Sequence, residues 1–168
     1  MKSFWFTGLE GRNAVKKSAN EKKYDISKGP FWSLIGMKII CINDRGCLLE
    51  LKVQKKNLHS HGRVHGGVIA SLIDSSIGFA AHHTIPAGLG TNTSQLSVNY
   101  LRPVEMGETI RASAELIHCG KITVVGICDV SNQKGEKIAH GTAVMIVKPV
   151  DILYKRQKEK LERNDSNI

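Results

Sequence analysis

From Val68 to Ala81 nearly every residue is apolar or small, and the segment opens on the pair Gly66-Gly67. A helix of that composition is buried on most of its circumference rather than along one stripe, so the remaining chain has to wrap it. One acidic residue, Asp74, stands near its middle with Ala70, Ile77, Gly78 and Ala81 as helical neighbours. None of these is a charge partner, and an ionised carboxylate is costly to bury unless it is paired, hydrogen-bonded or used. An unpaired acid on a buried helix that begins with bare glycine backbone marks a candidate active site.

The wrapping material follows from patterning. Lys38–Ile42 and Leu48–Val53 read as two strands about the turn Asn43-Asp44-Arg45-Gly46, which has hairpin chemistry. Residues 54–64 form a polar loop leading to the glycines, and the helix runs to about His82 before Pro86-Ala87-Gly88 ends the region. Four strand-like runs come next. In Thr93–Leu101, Leu96, Val98 and Tyr100 share one face and Gln95, Ser97 and Asn99 the other. Thr109–His118 alternates in the same way, and Lys121–Val130 and Lys137–Val147 are joined by Asn132-Gln133-Lys134-Gly135. Period-two alternation with short glycine-containing turns predicts an antiparallel sheet with one buried face. The class is α+β, with a sheet around one long central helix.

Three segments are expected: a polar, lysine-rich stretch over 1–29, a folded domain over 30–148 and a charged tail over 149–168. The stretch over 1–29 reads as a short helix or loop, and Asp151–Arg163 as a charged helix with no evident packing face. A length of 168 residues suits one domain with a real core. The net charge of +9 points towards an anionic partner, but much of it lies in Lys16, Lys17, Lys22 and Lys23 and in Lys155, Arg156, Lys158, Lys160 and Arg163. Terminal charge runs are usually solvated, and the second offers only Tyr154 as a stacking aromatic, which argues against nucleic acid. No apolar run is long enough to span a bilayer and no leader is visible, so no membrane role and a cytoplasmic location are expected. Cys41, Cys47, Cys119 and Cys128 lack any C-x-x-C spacing and read as small hydrophobes in a reduced compartment.

These features resemble the hotdog fold and, within it, the PaaI-type acyl-CoA thioesterases, over roughly residues 30–148. The resemblance is carried by His65-Gly66-Gly67 with Asp74, by Thr93-Ser94-Gln95-Leu96 and by Asn99-Tyr100-Leu101-Arg102-Pro103. Met106-Gly107-Glu108 and Gly120-Lys121 add to it, and Gly29-Pro30-Phe31-Trp32 does so loosely. It implies hydrolysis of an acyl-CoA, expected to be aryl- or medium-chain, to the free acid and coenzyme A without a cofactor, in a homodimer or homotetramer.

Thioester hydrolysis needs a nucleophile delivered to the carbonyl and donors for the oxyanion. A helix N-terminus supplies unpaired N–H groups and a positive dipole end, and glycine lets a carbonyl approach closely. The Gly66 N–H is therefore the expected donor, with Gly67 helping to bind substrate. Asp74 lies about 12 Å further along the same helix, too far to reach one carbonyl together with Gly66. The resemblance implies that Asp74 acts on a thioester polarised by Gly66 of a neighbouring subunit, as general base or as nucleophile.

Thr93 falls where the family often has a Ser or Thr that holds the attacking water or the carboxylate. Six residues before His65 the family usually has Asn or Gln near the thioester, and here the residue is His59. His59 either donates to the same oxygen or positions water. His65 is expected to order the loop and helix start. His59, His61 and His65 match no standard ligand spacing, and no metal is expected. Arg102 and Lys121 are the candidates for contacts with coenzyme A phosphates. Two rival functions remain: a hotdog hydratase or dehydratase, and a non-catalytic acyl-CoA sensor.

Overall fold

A computed structural model describes residues 29–151 of the chain. The expectations for residues 1–28 and for a helix over Asp151–Arg163 fall outside them. Helix α1 (Pro30–Ile35) comes first, started by a proline that suits the first helical turn and stopped by Gly36 in the left-handed conformation at φ 93°. Strands β1 (Met37–Asn43) and β2 (Gly46–Lys52) form the expected hairpin, with the Asn43 side chain accepting from the N–H groups of Arg45 and Gly46. Helix α2 (Gly66–Thr84) follows, and then β3 (Leu89–Tyr100), β4 (Thr109–Cys119), β5 (Thr123–Asn132) and β6 (Lys137–Pro149). All strand pairs are antiparallel in one six-stranded sheet of order β1-β2-β4-β5-β6-β3. No helix among the described residues is long and apolar enough to cross a membrane.

The sheet approaches α2 closely because its inner face is lined with small residues. A Cβ on Gly126 of β5 would lie 2.5 Å from Ile77 Cγ2, and one on Gly141 of β6 would lie 2.8 Å from Ile73 Cγ2. Ile73 and Ile77 therefore sit in holes made by glycine, and both are fully buried with Leu49, Leu51, Leu72 and Ile110. Ser76 adapts to this interior by donating to Ile73 O and meeting Cys128 Sγ at 3.2 Å. Burial pushes the Cys47 and Cys128 thiols up to about 12, as expected for cysteines that serve as small hydrophobes.

Two features depart from the sequence reading. Residues 54–64 are not an open loop: a 3₁₀ turn at Lys55–Asn57 leads into a tight fold-back in which Leu58 bridges Val64 and Gly62 takes φ 82°. Strand β3, expected to bury one face, is the outer strand beside β6 and is largely exposed, with Leu96 at 36% and Tyr100 at 54%.

Candidate active site

Helix α2 begins under an unusual cap. His65 occupies the N-cap position and its Nδ1 accepts from the Gly67 N–H at 2.9 Å. Accepting there leaves the proton of the neutral ring on Nε2. The Gly67 N–H is thus engaged within the cap. Among the described residues the Gly66 N–H has no partner. It stands at the positive end of a 19-residue helix.

A groove of about 440 Å³ opens at this point, lined among others by His59, Arg63, Gly66, Ile69, Tyr100 and Arg102. The Tyr100 hydroxyl donates to Gly66 O at 3.1 Å, and its ring would be 3.4 Å from a Cβ on Gly66. His59 Nδ1 accepts from the His61 N–H at 3.0 Å, so its neutral ring likewise keeps a donor at Nε2. Arg63 pairs with Glu105 at 3.2 Å, and Arg102 donates to Lys137 O at 2.7 Å. Lys121 lies apart, between β4 and β5, and does not line the groove. Alternation places Tyr100 on the apolar face of its strand, and nothing in that pattern signals its bond to the helix.

The second half of the site lies two turns along α2. The Thr93 hydroxyl donates to Asp74 Oδ1 at 2.7 Å. A break of register between Thr93 and Gln95 makes this contact possible. Thr93 pairs with Met145, and Leu96, Val98 and Tyr100 pair with Ala143, Gly141 and Ala139, all of which face the helix. Strict alternation would have turned Thr93 to the other face with Gln95 and Ser97. The extra residue Ser94, whose hydroxyl donates to Val144 O at 3.0 Å, turns it inward.

Asp74 is half-buried rather than enclosed. It belongs to a stripe of α2 formed by Gly67, Ala70, Ser71, Asp74 and Gly78, none of them buried. The opposite faces of the helix supply the core. Beside Asp74, Ser75 accepts from the Trp32 indole N–H at 3.0 Å, and Trp32 packs on Phe79 with ring centroids 4.9 Å apart. Of the expected site residues, Gly66, His59 and Arg102 thus meet at one groove, Asp74 and Thr93 meet elsewhere, and His65 joins the cap.

The Thioesterase superfamily model matches residues 61–139. Acyl-coenzyme A thioesterase PaaI of Escherichia coli is 30% identical over 105 residues, covering 62% of this chain and 73% of that protein. Acyl-coenzyme A thioesterase 13 of Homo sapiens is 29% identical over 133 residues, covering 77% and 89%. The solved structure of the E. coli PaaI protein superposes with a TM-score of 0.67 at 26% identity, covering 71% of this chain and 85% of that one. A hypothetical thioesterase protein of Streptococcus pneumoniae, solved with coenzyme A, gives 0.63 at 28% identity and covers 67% and 89%. By its fold, its glycine-opened central helix and this likeness, the chain belongs to the hotdog-fold thioesterases of the PaaI type.

Proposed function

We propose that the protein hydrolyses an acyl-CoA thioester to the free acid and coenzyme A, in a site shared by two copies of the chain. The observation that carries this reading is the Thr93–Asp74 pair, which holds a carboxylate on the one unburied stripe of α2. PaaI and acyl-coenzyme A thioesterase 13 are named for this reaction, which supports it.

The two-copy arrangement rests on edge and stripe. Strand β3 has 12 residues, Leu89–Tyr100, with neither a charge nor a proline to guard its open side. Edge strands are normally shortened, charged or covered; β1, the other edge, is seven residues long and carries Lys38 and a bulge. A second β3 pairing antiparallel to the first covers this exposure. Two hydrogen bonds already tie β3 to α2, Thr93 to Asp74 and Tyr100 to Gly66. Their midpoints fall at Leu96–Ser97 on the strand and at Ala70 on the helix. A two-fold axis through those midpoints brings Asp74 of each copy beside Gly66 of the other, and the small residues of the stripe let the helices approach.

In that arrangement the thioester oxygen receives the Gly66 N–H, with His59 Nε2 as second donor from the same groove. Asp74, oriented by Thr93, delivers the attack as base towards water or as nucleophile. Arg102, at the groove, is the better of the two phosphate candidates, and Arg63 joins it. The medium is the cytoplasm.

Thiol release from a panel of aromatic and aliphatic acyl-CoAs by wild type and Asp74→Asn tests the reading. Hydrolysis that falls at least a thousandfold in a dimeric variant supports it. Saturable binding without hydrolysis by the wild type would replace it with the sensor reading.

A further inference from the structure

The fold-back before α2 hangs on one buried amide. Asn57 is 2% exposed, and its side chain is used at both ends. Its Oδ1 accepts from the Gln54 N–H at 2.8 Å and its Nδ2 donates to Ile35 O at 3.0 Å, at the end of α1. Its own carbonyl accepts from the His65 N–H at 2.9 Å. That is the last backbone bond before the helix: the next donor, the Gly66 N–H, is the group assigned to the oxyanion. Buried polar groups held from both sides have little freedom, and losing one partner leaves the other unpaired away from water.

Helix α1 anchors the other reacting group as well. Three residues before Ile35, Trp32 donates to Ser75, the residue after Asp74. One short helix thus fixes both ends of the span from Gly66 to Asp74, through Asn57 at one end and Trp32 at the other. Transition-state donors act through placement at the sub-ångström level, so the anchor nearest the donor matters most.

We infer that Asn57 is a positioning residue for thioester hydrolysis, which sets the Gly66 N–H by holding His65 against the end of α1. This rests on the hydrolytic reading given above. Asn57→Asp keeps an acceptor for the Gln54 N–H but sets a carboxylate oxygen against Ile35 O. Asn57→Ser keeps the acceptor with no added charge and serves if the aspartate variant does not fold.

The test uses the full chain and the acyl-CoA that the wild type turns over fastest, well below the melting temperature, together with amide hydrogen exchange. Asn57→Asp is expected to lower kcat ten- to a hundredfold with KM within threefold, and Asn57→Ser to lower it three- to tenfold. Exchange should quicken at residues 65–68 while β5 and β6 keep wild-type protection. A kcat within twofold of wild type per folded molecule in both variants, or exchange raised evenly through the sheet, overturns the inference. A wild type that releases no thiol refutes the hydrolytic reading alone, and the exchange pattern then decides whether Asn57 holds the helix start.

Discussion

Thr93 and Asp74 meet at 2.7 Å only because Ser94 adds a residue to β3. The hydroxyl spends its hydrogen on one carboxylate oxygen and leaves the other for the reaction proposed above. Thr93→Val keeps the shape of the side chain and removes the donor. It is expected to lower kcat about tenfold with little change in melting temperature, whereas Thr93→Ser should stay within about threefold of wild type. Steady-state thiol release checks both, and an unaffected Thr93→Val would show that Asp74 needs no such partner.

Gly66 can be stripped of its donor without losing the helix. Proline is favoured in the first helical position, where its missing N–H has no intrahelical acceptor, and His65 at φ −65° and ψ 133° suits the residue before a proline. Gly66→Pro should therefore fold while kcat drops about 10²–10³-fold, the usual cost of one oxyanion donor. Circular dichroism and kinetics decide the matter together: a folded, fully active variant rules the Gly66 N–H out.

Mixing the two defects tests whether the site is shared. In the proposed arrangement, a dimer of one Asp74→Asn chain and one Gly66→Pro chain contains one site with both defects and one with neither. Co-refolded mixtures should regain up to about a quarter of wild-type activity, since half of the dimers are mixed and each has one sound site. Parent homodimers that stay inactive beside an active mixture establish the arrangement; no recovery places both groups within a single chain.

Asp129 gives a pH test on the outer face of the sheet. Burial raises its carboxyl, but the Lys137 ammonium at 2.9 Å and the His140 ring at 2.7 Å outweigh it and hold the group below its ordinary 3.8. A depressed carboxyl stabilises the fold above its unfolded value and loses that contribution as pH falls through the folded value. At 48% side-chain exposure, solvent screening keeps the effect to at most about 1 kcal/mol. Asp129→Asn should melt a few degrees lower than wild type at pH 7, and the gap should close as pH falls below the ordinary carboxylate range. A gap that persists in acid would assign the loss to packing.

The sequence reveals much of this architecture, for reasons that also mark its limits. A run of apolar and small residues with two glycines at its head reads as the wrapped helix, and Ile73 and Ile77 behave accordingly. The strand runs are visible because each carries its own alternation. What stays hidden depends on partners. The Ser94 bulge is a relation between β3 and β6 and leaves no mark in β3 alone. Strand order decides that Leu96 and Tyr100 are exposed, and alternation says nothing of strand order. Arg102 and Lys121 look equivalent as charges at strand ends, yet only Arg102 lines the groove. Helix α1 has no counterpart in the sequence reading, because six residues are too few to show a period.

The 19 residues of α2 serve the interior with one set of side chains and present Asp74 and a small-residue stripe with the other. Hardly a position on it is free to vary without disturbing one or the other. Anyone wishing to redirect such a protein to a different acyl group therefore has little to gain from redesigning the helix. The adjustable parts are the exposed side chains of the fold-back other than His59 and Arg63, and the outward residues Gln95, Ser97 and Asn99 of β3, which can be exchanged while the machinery beneath stays in register.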